Sequence, residues 1–141
     1  MGKKDMGYYL NPNFDKKSTQ SLGKKGEDIA AGYLEGLGHK VLERNWRWSH
    51  LEIDIITYDE MGIHIVEVKA SHFAPVLEPE NRVNEIKRRN LVRAANAYLV
   101  NGCPDYLYGA EIFFDIVAVI FNPSGTSSVK YFPAAWIPMR K

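Results

Sequence analysis

Leu51-Glu52-Ile53-Asp54-Ile55-Ile56-Thr57, then Tyr58-Asp59-Glu60-Met61-Gly62, then Ile63-His64-Ile65-Val66-Glu67-Val68-Lys69 is the stretch whose reading decides the fold. Two alternating runs rich in β-branched residues flank a polar turn that contains Gly, a hairpin signature. With the loop at Asp59 to Gly62 and Tyr58 facing Ile63, Asp54 falls opposite Glu67 and Glu52 opposite Lys69. Side chains alternate faces with a period of two, so these four share one face of the sheet. Ile53, Ile55, Val66 and Val68 take the other face, which suits a core. Opposed residues sit roughly 4.5–5.5 Å apart at Cβ, where like charges destabilise. A divalent cation between the two carboxylates is the simplest reason to tolerate them.

Hard cations such as Mg2+ take oxygen ligands, commonly one or two carboxylates plus waters and substrate phosphate oxygens. Asp54 and Glu67 supply carboxylates, and the backbone carbonyl of Val68 offers a third oxygen. A metal held there polarises a scissile phosphate and activates water. Lys69 then orients that water or offsets transition-state charge; it serves as a base only if its pKa is strongly depressed. The competing reading is a hairpin with a solvated charged face and a Glu52–Lys69 cross-strand pair. A lone Glu-x-Lys has little weight, but two facing carboxylates with a lysine on the same face favour the metal site.

Working outward, Leu22 to Leu37 reads as a helix with Ile29, Ala30, Tyr33, Leu34 and Leu37 as its apolar stripe and Gly38 as its stop. Val41 to Arg47 is a short strand leading into the hairpin. Ser71 to Glu80, with Pro75 and Pro79, is an irregular connection bordering the site. A second helix is expected over Arg82 to Asn101 with a stripe of Val83, Ile86, Leu91, Ala94 and Tyr98, ended by Gly102. Glu111 to Phe121 reads as a buried strand and Val129 to Phe132 as a last one. That order implies an α/β fold, a mixed sheet flanked by helices. Residues 1–20 are polar and basic without periodicity and read as a mobile arm; residues 21–141 form one domain.

The chain has 141 residues and a formal charge of +1, so bulk charge does not announce a nucleic-acid partner. Lysines at 3, 4, 16, 17, 24 and 25, and Arg82, Lys87, Arg88, Arg89 and Arg93, form basic clusters that suit either phosphate contacts or a solvated surface. The single cysteine, Cys103, excludes an intrachain disulfide. No apolar run reaches the roughly 18–20 residues of a membrane helix, and no signal peptide is evident, so no membrane partner and a cytoplasmic location are expected.

Glu27 flanks the first helix's apolar stripe, where it either points along the sheet toward the hairpin, helping to hold a metal or its water, or is a favourable helix-start charge. Lys87 falls within the second helix's apolar stripe, and a buried ammonium needs a carboxylate or phosphate unless its head escapes to water. Glu85 can pair with Arg89 at i,i+4. Arg44 and Arg47 flank Trp46 in a pattern that suits either phosphate and base contacts or an edge strand with one packed tryptophan. His39, His50, His64 and His72 have no ligand spacing with one another or with Cys103, so no zinc site is expected, and His64 reads as a core or edge histidine. No Gly-rich phosphate loop or Gly-x-Ser-x-Gly elbow occurs.

These residues resemble the YraN-like family, predicted nucleases of the PD-(D/E)xK superfamily. The resemblance rests on Gly26-Glu27, Arg44-Asn45-Trp46-Arg47, Glu52-Ile53-Asp54-Ile55-Ile56, Val66-Glu67-Val68-Lys69, Lys87 with Ala94-Ala95 and Tyr98-Leu99, and Phe114-Asp115-Ile116-Val117. It implies a restriction-endonuclease-like αβββαβ core and Mg2+- or Mn2+-dependent cleavage of DNA. Asp54 and Glu67 would be the metal ligands and Lys69 the catalytic lysine. Glu27 would match the first-helix acidic residue of related archaeal Holliday-junction resolvases, whose work as dimers on branched DNA implies a homodimer by analogy. The chain departs from the family pattern at Leu51 (usually Gly), Ser71 (commonly basic) and Phe113 (often Arg). These changes spare the proposed ligands but thin the surrounding positive charge. The expectation is a DNA endonuclease selective for branched structures in repair or recombination. The alternatives are a non-catalytic nucleic-acid-binding protein, a partner-binding protein using Tyr131, Phe132, Trp136 and the arm, or a hydrolase of smaller phosphodiesters.

Overall fold

A computed structural model of the chain describes residues 16–72 and 84–138. Its order is α1 (Lys16–Gly36), β1 (Lys40–Trp48), β2 (Leu51–Asp59), β3 (Gly62–Ser71), α2 (Glu85–Asn101), a 3-10 turn (Asp105–Leu107), β4 (Ile112–Phe121) and β5 (Ser127–Trp136). The five strands lie in sequence order; β3 and β4 are parallel and every other neighbouring pair is antiparallel. Parallel neighbours require a crossover, and α2 supplies it. The expected α/β class and αβββαβ order are present, with β5 added as a full edge strand.

Helix α1 begins six residues before the expected Leu22 and takes in the end of the segment read as an arm. Residues 1–15 of that segment lie outside the described residues, as do 73–83, which include most of the irregular connection with Arg82 and Val83. Helix α2 starts after Asn84, whose side chain accepts the Lys87 backbone N–H at 2.8 Å, an N-cap that satisfies one of the first-turn donors. Its buried side chains are Leu91, Ala94, Ala95 and Tyr98, while Ile86 of the expected stripe is exposed. Among the described residues no helix is long and apolar enough to cross a membrane.

The helices cover opposite faces of the sheet, so successive residues of the inner strands enter different cores. Ile56, Ile63, Ile65, Phe114 and Ile116 pack with Leu91, Ala94, Ala95 and Tyr98 of α2. Ile55, Val66, Val117 and Val119 pack with Ala30, Ala31 and Leu34 of α1. This corrects the expected division of the hairpin into one charged and one apolar face. The face carrying Glu67 also carries the larger core, because strands covered on both sides are apolar at both parities. Ile53, expected beside Ile55, instead joins the α2 core. Opposite this level of β2, Asn45 of β1 adopts φ 52°, interrupting the regular pleat between the Arg44–Ile55 and Trp46–Ile53 pairs.

Candidate functional site

The hairpin register is the one the sequence implies: Tyr58 pairs with Ile63, Thr57 with His64, Ile56 with Ile65, and Ile55 with Val66. The β2–β3 ladder ends there, one step before Asp54 and Glu67. Instead of a backbone pair at this level, the Asp54 carboxylate accepts the backbone N–H of Val68 at 2.9 Å. The open end of the hairpin thus leaves both carboxylates side by side. Burial, then the negative charge of Glu67, and more weakly that of Glu27 on α1, push the Asp54 carboxyl up to about 7, against the opposing pull of the Val68 N–H. Two carboxylates forced together in this way form an oxygen-rich donor set for a hard divalent cation.

Glu67 is buried, and two lysines reach it: Lys69 Nζ at 3.6 Å and Lys87 Nζ at 3.4 Å from Oε2. Lys69 lies on the same strand and Lys87 on the first turn of α2, so sheet and crossover helix converge at this carboxylate. Lys87 reaches a carboxylate, but its side chain is 45% exposed rather than buried. Glu27 influences Asp54 from α1, yet it does not close with Asp54 and Glu67 into a three-ligand cluster.

The arginines expected to meet nucleic acid are engaged in ion pairs. Arg44 Nη2 sits 2.6 Å from Asp28 Oδ1 on α1, and Arg47 Nη2 lies 3.4 Å from Glu52 Oε1. Glu52 therefore pairs across β1–β2 with Arg47, while Lys69 pairs with Glu67; this replaces the Glu52–Lys69 pair of the solvated-hairpin reading. Arg47 and Glu52 are register partners in the β1–β2 ladder, which sequence inspection of the hairpin alone does not reveal. Glu85 and Arg89 form the expected i,i+4 pair at 3.8 Å. Trp46 stacks on Trp48 and meets Tyr98 edge-on, so it is the packed tryptophan of an edge strand.

A second polar cluster lies at the turn end of the hairpin, on the α1 side, and sequence spacing gave no sign of it. His39, just beyond α1, hydrogen-bonds Thr57 Oγ1 through Nδ1 at 2.7 Å. His64 contacts Asp115 Oδ2 through Nδ1 at 2.7 Å and Asp59 Oδ1 through Nε2 at 2.9 Å. Asp115 also accepts from the Tyr131 hydroxyl at 2.5 Å and the Ala134 N–H at 2.8 Å. Burial alone would lower the His64 pKa, but its hydrogen bonds to Asp115 and Asp59 outweigh burial and raise it. Burial and the neighbouring His64 lower that of His39. Phe113, at the position where the family pattern often has Arg, stacks on His64 at 5.2 Å between ring centroids. Asp115 was the one legible signal, a carboxylate in the middle of the apolar run Ile112 to Phe121, which must find partners when buried.

Comparison with known proteins adds a family. The model of the uncharacterised protein family UPF0102 matches residues 26–119, a span that includes Glu27, Asp54, Glu67, Lys69, Lys87 and Asp115. A UPF0102 protein of Chlorobium chlorochromatii is 45% identical over 110 residues, covering 78% of this chain and 80% of the relative. One from Flavobacterium johnsoniae is 39% identical over 101 residues, 72% of this chain and 82% of the relative. One from Bacteroides thetaiotaomicron is 36% identical over 117 residues, 83% of this chain and 93% of the relative.

Proposed function

This chain belongs to the uncharacterised protein family UPF0102, and from the geometry of its carboxylate pair we propose that it is a Mg2+- or Mn2+-dependent endonuclease acting on DNA. The observation that carries this reading is the apposition of Asp54 and Glu67 at the open end of the hairpin, with the ammonium groups of Lys69 and Lys87 both within 3.6 Å of Glu67. Carboxylates without a cation would gain by moving apart, yet the Val68 N–H holds one and two lysines hold the other.

Asp54, Glu67 and the Val68 carbonyl would hold the ion, and Glu27 would orient a water beside it. A hard divalent ion supplies Lewis acidity toward the phosphate oxygens and acidifies bound water. The chain's own residues do the rest. The Val68 N–H fixes one oxygen of Asp54 and keeps the carboxylate against Glu67. Lys69, on the strand, is positioned to direct the attacking water or neutralise charge on the pentacoordinate phosphorus. Lys87, half-exposed in the first turn of α2, is positioned to meet the flanking phosphate. Hydrolysis of a phosphodiester requires a barrier reduction on the order of 20 kcal/mol, and preorganised charge of this kind is its main source. In its finer form, the proposal has a homodimer acting on branched DNA in the cytoplasm.

The test is cleavage of a labelled panel of single-stranded, duplex, flap and four-way-junction DNA in Mg2+ and in Mn2+, with Asp54→Ala and Lys69→Ala alongside the wild type. Cutting that requires metal and is lost in both variants supports the proposal and identifies the substrate. Salt-dependent binding without cleavage in either metal would refute it and leave a nucleic-acid-binding role.

A further inference from the structure

We propose that His39, Asp59 and His64 form a second, separate metal site, selective for a zinc-class transition ion, which fastens the end of α1 to the turn of the β2–β3 hairpin. The inference does not depend on the proposed nuclease activity. Among the described residues this is the one group in which three ligand atoms from His, Cys, Asp or Glu all lie within 4.8 Å of one another.

The geometry suits such an ion. His39 Nε2 stands 3.5 Å from Asp59 Oδ2, and His64 Nε2 stands 2.9 Å from Asp59 Oδ1. In a tetrahedral zinc site with bonds of about 2.0–2.1 Å, ligand atoms are separated by roughly 3.3 Å. Both imidazoles direct Nε2 at the same carboxylate because each Nδ1 is already held, His39 by Thr57 and His64 by Asp115. Hydrogen bonds on the far nitrogen are what orient metal-binding histidines. Two nitrogen ligands and one carboxylate favour zinc over magnesium.

Charge points the same way. The side chains of His39, His64 and Asp115 are almost fully buried, and the cluster holds two carboxylates, Asp59 and Asp115. A divalent cation would neutralise both and take the place of the direct His64 Nε2–Asp59 Oδ1 contact. The site also abuts the carbonyl end of α1, where the His39 N–H bonds to the Leu34 carbonyl, and helix C-termini favour positive charge. Asp59 is the most exposed of the three ligands, which leaves a path for the ion and a fourth position for water.

The test titrates chelator-stripped full-length protein with Zn2+, in competition with a chromophoric chelator, and with Co2+ while recording visible absorption. With the Asp54–Glu67 pair saturated by excess Mg2+, one ion per chain is expected, with the intense Co2+ bands of a tetrahedral site. His39→Gln should weaken binding by more than the roughly 10–100-fold that loss of an outer hydrogen-bond partner costs, and Thr57→Val should fall within that range. Asp54→Asn should bind zinc as the wild type does. Absence of zinc binding, binding untouched by His39→Gln, or binding lost in Asp54→Asn would each overturn the proposal. If His39→Gln fails to fold, the wild-type Co2+ spectrum and Thr57→Val decide the matter.

Discussion

The Asp54 carboxylate accepts the backbone N–H of Val68 at 2.9 Å, across a separation of 14 residues, at the level where the β2–β3 ladder has ended. A side chain thereby takes the role of a missing backbone partner, and the same contact holds the carboxylate against Glu67. The strands open where the candidate chemistry is concentrated and stay zipped toward the turn, so the hairpin combines a rigid base with an accessible acidic end.

The ionised Asp54 carboxylate weakens the fold. Its pKa in the fold, about 7, lies above the ordinary 3.8, so this group's contribution is full below pH 3.8 and is lost as pH rises through 7. At pH 8 without divalent metal, Asp54→Asn is expected to melt a few degrees higher than the wild type, and with metal supplied it should show no cleavage. Mg2+ should raise the melting temperature of the wild type but not of the variant. Thermal melts at pH 5 and pH 8, with and without Mg2+, check this; a variant that melts lower at pH 8 would contradict the repulsion argument.

Lys69 and Lys87 approach the same oxygen of Glu67 but differ in exposure, 28% against 45%. Lys69→Ala should lower turnover by roughly 100- to 10,000-fold with metal affinity retained, as expected for a group acting on the reacting atoms. Lys87→Ala should act mainly on KM, with a shallower salt dependence of DNA binding, since an exposed ammonium contributes chiefly to phosphate contact. Steady-state kinetics on the preferred DNA distinguishes them; equal loss of turnover in both would reject the division of roles.

Asp115 has no exposed side-chain surface and is held by His64, Tyr131 and Ala134. Asp115→Ala should cost about 3–5 kcal/mol, because it leaves the buried His64 Nδ1, the Tyr131 hydroxyl and the Ala134 N–H without their shared partner. Tyr131→Phe should cost about 1.5 kcal/mol, the loss of one hydrogen bond to a charged acceptor. Urea denaturation at neutral pH measures both, and near-equal effects would mean the network is not centred on Asp115.

Gly26 lets α1 lie close against β3: a Cβ there would stand 2.7 Å from the Ala70 Cβ. Gly26→Ala should cost about 1–3 kcal/mol by overpacking and move Glu27 away from the hairpin. Adding Ala70→Gly should recover most of the loss, as neighbouring substitutions are coupled. A double variant no more stable than Gly26→Ala alone would show that the clash is relieved elsewhere.

Much of this was legible in the chain itself, because it depends on local periodicity. The alternation of β2 and β3 with the polar turn fixed the hairpin register, which brought Asp54, Glu67 and Lys69 together on paper as in the fold. The apolar run from Glu111 to Phe121 identified a buried strand. What tertiary structure alone decided involves elements far apart in sequence. Arg47 meets Glu52, and Arg44 meets Asp28, only once β1 has been placed beside β2 and α1. Ile53 leaves the face of Ile55 at the level where Asn45 of the neighbouring strand adopts φ 52°. His39 and His64 share no sequence spacing, yet the end of α1 brings one imidazole to 4.5 Å from the other over the same Asp59. Periodicity sets which face a side chain takes within its own strand; only the packing of helix on sheet sets what it meets there.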